Sequence, residues 1–176
     1  MFYILVLAGL LITGFFVLRR LQHGPYIADD LMDAPADVRR AAKRQGLHAQ
    51  RNTPITTSLP TSELCIGALA CAFAQMDEGQ KVQPPALHAP LTKHLSIDAP
   101  TADDLTTLGP WIVDQAGGPK AAFDALTLRL KQLDHGPYFA RLMAVLGDVG
   151  AAGSGGMPSS RQADALGALA RIFRTA

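Results

Sequence analysis

The segment "TSELCIGALACAFAQM" at 61–76 constrains this chain more than any other stretch. Wound as a helix it is apolar on nearly every side, so it has no face fit for water. Its apolar part, Leu64 to Met76, is shorter than the roughly 20 residues that cross a bilayer. Such a helix needs a sleeve of other helices, and the rest of the body has to supply it.

The remaining sequence suits that demand. The chain is 48% hydrophobic but only 6% aromatic, a balance that favours helix over strand. No stretch alternates in the manner of a half-buried strand, so an all-α bundle of about six to seven helices is expected. Around 85–96, Leu87, Leu91 and Leu95 recur every fourth residue, with Pro90 either distorting the helix or lying near its start. Thr101 with Asp104 resembles an opening cap, and Asp103-Asp104 read as acids beside a helix start. Gly109-Pro110 predicts that 101–116 splits into two pieces. Segment 119–134 carries the stripe Phe123, Leu126, Leu130 and Leu133. Segment 137–152 carries Tyr138, Leu142, Val145, Leu146 and Val149. Ser159 and Gln162 form a capping box before a last helix that turns Leu166, Leu169, Ile172 and Phe173 inward.

The amino-terminal run "MFYILVLAGLLITGFFVL" holds no charge, and Arg19 and Arg20 follow it at once. As a helix it spans about 27 Å, near the hydrocarbon thickness of a membrane. A cleaved signal peptide would carry basic residues ahead of the run and a small-x-small site behind it, and neither is present. A retained transmembrane anchor over 1–22 is expected. Basic residues flank the cytoplasmic side of such a span, and Arg19, Arg20, Arg39, Arg40, Lys43 and Arg44 all follow it. With the membrane taken as a bacterial inner membrane, the span is expected to leave the amino terminus outside and the body cytoplasmic.

Residues 23–60 read as a stalk punctuated by Pro25, Pro35, Pro54 and Pro60, with a basic helix near 35–49 that Gly46 ends or weakens. That helix either rests on anionic headgroups, at about 1 kcal/mol per basic residue, or is a solvated spacer. "TPITTSLP" reads as an extended linker into a body spanning 61–176.

A net charge of +1 gives no field to draw in nucleic acid. Cys65 and Cys71 stand about 240° apart on one helix, so they cannot bridge and read as buried free thiols in a reducing compartment. His23, His48, His88, His94 and His135 are scattered, and no phosphate loop, nucleophile elbow or zinc spacing appears. The turn after the central helix, "DEGQKVQPP", offers Asp77 and Glu78 as the candidate metal ligands. With Gly79, Gln80 and Gln83 they supply fewer oxygens than the six or so a hard cation takes. Neither metal, cofactor, small-molecule substrate nor enzymatic activity is expected.

Two segments run in parallel: "ELCIGALACAFAQMDEGQKVQPPALHAPLTKHLSID" (63–98) and "YFARLMAVLGDVGAAGSGGMPSSRQADALGALARIF" (138–173). In each, a small-apolar helix enters a turn and a second helix follows. On these segments the body resembles the TerB-like (tellurite-resistance) helical domain, which also stands behind the anchor of DjlA-type membrane co-chaperones. The resemblance implies an all-helical, pseudo-duplicated fold with an acidic turn in each half. Asp77-Glu78-Gly79 matches the first turn. The second falls on Gly153-Ser154-Gly155-Gly156, which has no carboxylate, the nearest acid being Asp148. No His-Pro-Asp motif occurs, so a J-domain's action on a chaperone ATPase is not expected. The implied role is a non-enzymatic module presented to cytoplasmic or membrane protein partners, in envelope stress or membrane-complex assembly. The alternative is a structural accessory subunit of a larger respiratory or photosynthetic membrane complex.

Overall fold

The structure, a computed structural model, describes residues 31, 33–48, 53–77, 84–133, 137–153 and 156–174. Among them are seven α-helices and one 3-10 turn, with no strand, so the chain is all-α. The helices are α1 (Ala36–Arg44), α2 (Ser62–Gln75), α3 (Pro84–Leu95), α4 (Ala99–Gln115), α5 (Pro119–Leu133), α6 (Tyr138–Ala151) and α7 (Ser160–Arg174). No helix among the described residues is long and apolar enough to cross a membrane. The expected anchor over 1–22, with Arg19 and Arg20, lies outside the described residues.

Helix α2 occupies the centre. Thr61 caps it by accepting from the Leu64 N–H at 3.3 Å, and every residue from Leu64 to Ala74 is buried. Helices α3, α4, α5 and α6 all pack on it, α1 lies outside α4, and α7 lies outside α5. The expected stripes face inward: Leu87, Leu91 and Leu95 from α3, Phe123, Leu126 and Leu130 from α5, and Leu142, Val145, Leu146 and Val149 from α6. Burying a leucine or phenylalanine contributes about 1.5–3 kcal/mol, and these layers account for most of what holds the bundle.

Helix α4 departs from expectation: it runs unbroken through Gly109-Pro110. Pro110 removes one bond of the helical ladder, yet the contact with α2 keeps the helix whole. A Cβ at Gly109 would stand 2.2 Å from Cys71 Sγ and 3.0 Å from Cys71 Cβ, and one at Gly67 would stand 3.0 Å from Leu105 Cβ. Glycine from each helix therefore admits the other at the crossing. Its role at 109 is close approach rather than chain breaking. Helix α3 likewise continues through Pro90. The opening cap of α4 is Asp98, which accepts from the Thr101 N–H at 3.1 Å, and not the Thr101–Asp104 pair.

The stalk reading also needs correction, because the described residues 36–48 and 53–59 pack on the body. Helix α1 is shorter than the expected 35–49. Gly46 adopts φ +65°, Leu47 N–H donates to Ala42 O at 2.9 Å and Gly46 N–H to Lys43 O at 3.3 Å, which closes the helix at Arg44. Its Val38, Ala41 and Ala42 are buried against the bundle, so it is no solvated spacer. "TPITTSLP" is likewise packed: it forms a 3-10 turn at Ile55–Thr57 and sinks Ile55 and Leu59 into the core. Arg129 of α5 fixes this strap by donating from Nη2 to Leu59 O at 2.7 Å. The boundary expected at 60/61 thus falls inside one packed unit.

Candidate functional site

The carboxyl end of α2 brings Asp77 beside Gly153 of the turn after α6. Asp77 sits there half-buried, with its N–H donating to Ala74 O at 3.4 Å. A Cβ at Gly153, in the turn after α6, would stand 3.1 Å from Asp77 Oδ2 and 3.3 Å from Gly150 O. Gly153 therefore leaves room for the carboxylate. The capping box predicted at Ser159 and Gln162 is present: Ser159 N–H donates to Gln162 Oε1 at 2.9 Å, and Gln162 N–H donates to Ser159 Oγ at 3.3 Å. Gln162 is buried and also donates from Nε2 to Phe73 O at 2.9 Å, meeting a carbonyl in the last turn of α2. The start of α7 thereby caps the end of α2.

Glu78 lies outside the described residues, and no group of three or more His, Cys, Asp or Glu able to hold a metal occurs among the described ones. Asp148 turns to α3, where its Oδ2 accepts from His94 Nε2 at 2.8 Å and Lys93 Nζ at 3.0 Å. The hydrogen bond from His94 first, and that from Lys93 next, hold the Asp148 carboxyl below its ordinary range. His88 looks the other way, with Nε2 3.3 Å from Ala99 O and 3.5 Å from Asp103 Oδ1 on α4. The two imidazoles of α3 thus serve two different neighbours.

The basic residues also divide. Arg39, Arg40 and Lys43 are exposed, with Arg40 Nη2 3.0 Å from Asp37 Oδ1. Arg44 instead reaches α4 and grips Asp104, its Nε lying 3.1 Å and 2.9 Å from the two carboxylate oxygens and its Nη2 bonding Oδ1. Gln45 Nε2 adds a third donor at 3.2 Å. The bond to Asp104 raises the Arg44 pKa. Asp104 is only 3% exposed and lies beyond the first turn of α4, so it serves as the partner of Arg44 and not as a helix-start acid. A signal was there to read: it adjoins the Leu105, Leu108 and Ile112 stripe, where a carboxylate needs a partner.

The thiols lie deep. Both are free and buried, and burial pushes each up to about 12. Cys65 Sγ donates to Leu126 O at 3.2 Å. Protonated and enclosed, they pack as small apolar groups. The polar contacts described here tie helices together: Tyr138 Oη donates to Glu63 Oε1 at 2.7 Å and Lys131 Nζ to Ile172 O at 2.6 Å, joining α6 to α2 and α5 to α7.

These features define an all-α bundle built on one apolar central helix, with its main polar groups spent on helix-to-helix struts. Among protein-family models, curated proteins and solved structures, none matches the chain.

Proposed function

We propose that this chain is a single-pass membrane protein whose bundle is a non-enzymatic, TerB-like interaction module facing cytoplasmic partners at a bacterial inner membrane. Its setting is envelope stress or membrane-complex assembly. The uncharged run 1–18 followed by Arg19 and Arg20 supports the anchor and its orientation. The observation that carries the module reading is the meeting of the two matched turns, Asp77 from the first half against Gly153 from the second. A pseudo-duplicated domain would bring corresponding turns together in this way. The charged groups tie neighbouring helices to one another, which suits a module acting through its outer surface.

Affinity purification of the full chain from native membranes tests the proposal. The expected result is recovery in the membrane fraction with a substoichiometric cytoplasmic or membrane protein partner. Recovery from the soluble fraction overturns it. Co-migration with a large respiratory or photosynthetic complex at fixed stoichiometry makes the chain a structural subunit instead.

A further inference from the structure

At 100° per residue, Arg39, Arg40 and Lys43 fall within an arc of about 100° on α1, nearly opposite the buried Val38, Ala41 and Ala42. Asp33 and Asp37 stand toward the amino-terminal end of this exposed face, so its positive potential is strongest toward Lys43. Arg40 also pairs with Asp37 at 3.0 Å, and Arg44, though exposed, spends its guanidinium on Asp104, a grip that fixes α1 to α4. The face is therefore part of the folded body, and little ordering is left to be done when it binds.

We infer that this exposed basic face of α1 docks on anionic lipid headgroups, which makes α1 the bilayer-facing side of the bundle. The inference rests on the anchored reading and adds an orientation to it. Reach permits the contact: residues 19–30 separate the apolar run from Leu31, which packs on the core, and they extend at most about 45 Å. Each basic residue close to an anionic surface strengthens association about fivefold. A patch of this size binds only marginally by itself. Behind an anchor, however, its encounter with headgroups is intramolecular, and a marginal attraction then suffices to populate the docked state.

The test uses the full chain in vesicles of phosphatidylcholine with or without phosphatidylglycerol. Cys65 and Cys71 are buried, so Ala36→Cys, on the exposed face, takes a fluorophore selectively. Leu128→Cys, exposed on α5, serves as the control position. Nitroxide headgroup lipids are expected to quench the α1 label in anionic vesicles, the Leu128 label far less, and neither strongly in neutral vesicles. High salt should release the α1 label, and Lys43→Gln should weaken docking about fivefold. The unsubstituted face supplies the salt titration should a variant fold poorly. Equal quenching in neutral and anionic vesicles, or no effect of salt, overturns the inference alone. A chain left in the supernatant overturns the anchor and the docking together. A label shielded by polyglutamate but not by anionic lipid assigns the face to an acidic protein and overturns the lipid assignment.

Discussion

Gly109 stands on the helix-to-helix crossing at the heart of the bundle, where the chain has no room for a methyl group. The Cys71 sulfur would lie 2.2 Å from a Cβ at that position. Alanine favours a helix over glycine by about 1 kcal/mol, but overpacking a rigid core costs about 1–3 kcal/mol or more. Gly109→Ala is expected to lose about 2 kcal/mol net, seen as a melting temperature lower by about 4–8 °C. Cys71→Ala in the same chain removes the sulfur and should restore about half of that loss, leaving the tighter Cβ contact. Additive effects in the double-substitution cycle would show that space at this crossing is not the cause. The dipeptide Gly109-Pro110 looked like a break because its local chemistry is that of a break. What keeps the helix continuous is a neighbour from 38 residues earlier (109 − 71), which no local pattern displays.

At the scale of elements, the readable parts are those set by short-range periodicity. The leucines of α3, the stripes of α5 and α6, and the box formed by Ser159 and Gln162 were legible because burial repeats with the helical turn and caps use adjacent residues. The seams between helices were not legible. Locally Asp148 is only the acid nearest a turn, whereas its partners lie 54 and 55 residues away on α3. That seam makes a pH prediction. A carboxyl held below its ordinary range stabilises the fold above about pH 4, and this contribution fades as pH falls through the depressed native value. Asp148→Asn should therefore lower the urea midpoint at neutral pH and differ progressively less from the parent as the solution is acidified below pH 4. An undiminished difference in acid would mean the side chain acts there by packing rather than by charge. Of the candidate ion turn, Asp77 could be read from the sequence, but its apposition to Gly153 depends on how α2 and α6 meet.

For the whole molecule, the packed unit starts earlier than the composition suggests. Proline-rich, basic stretches normally read as spacers, and the buried Val38, Ala41, Ala42, Leu47, Ile55 and Leu59 are spread too sparsely to form a visible stripe. Removing them would strip apolar cover from α4 and α5. A fragment spanning 31–176 is expected to be monomeric and to melt cooperatively. One beginning at 61 should lose several kcal/mol, and should aggregate or melt at least about 10 °C lower. Circular dichroism with size-exclusion chromatography distinguishes the two. Equal stability for both fragments would restore the boundary at 60/61.

The bond from Gln162 to the Phe73 carbonyl spans 89 residues, and it has a consequence for the order of synthesis. As the ribosome delivers the polypeptide, α2 emerges with its apolar circumference bare, and the side chain that seals its end follows only 89 residues later. Vectorial folding cannot finish this core piecemeal. The nascent helix must be sheltered until the residues of α7 have followed it.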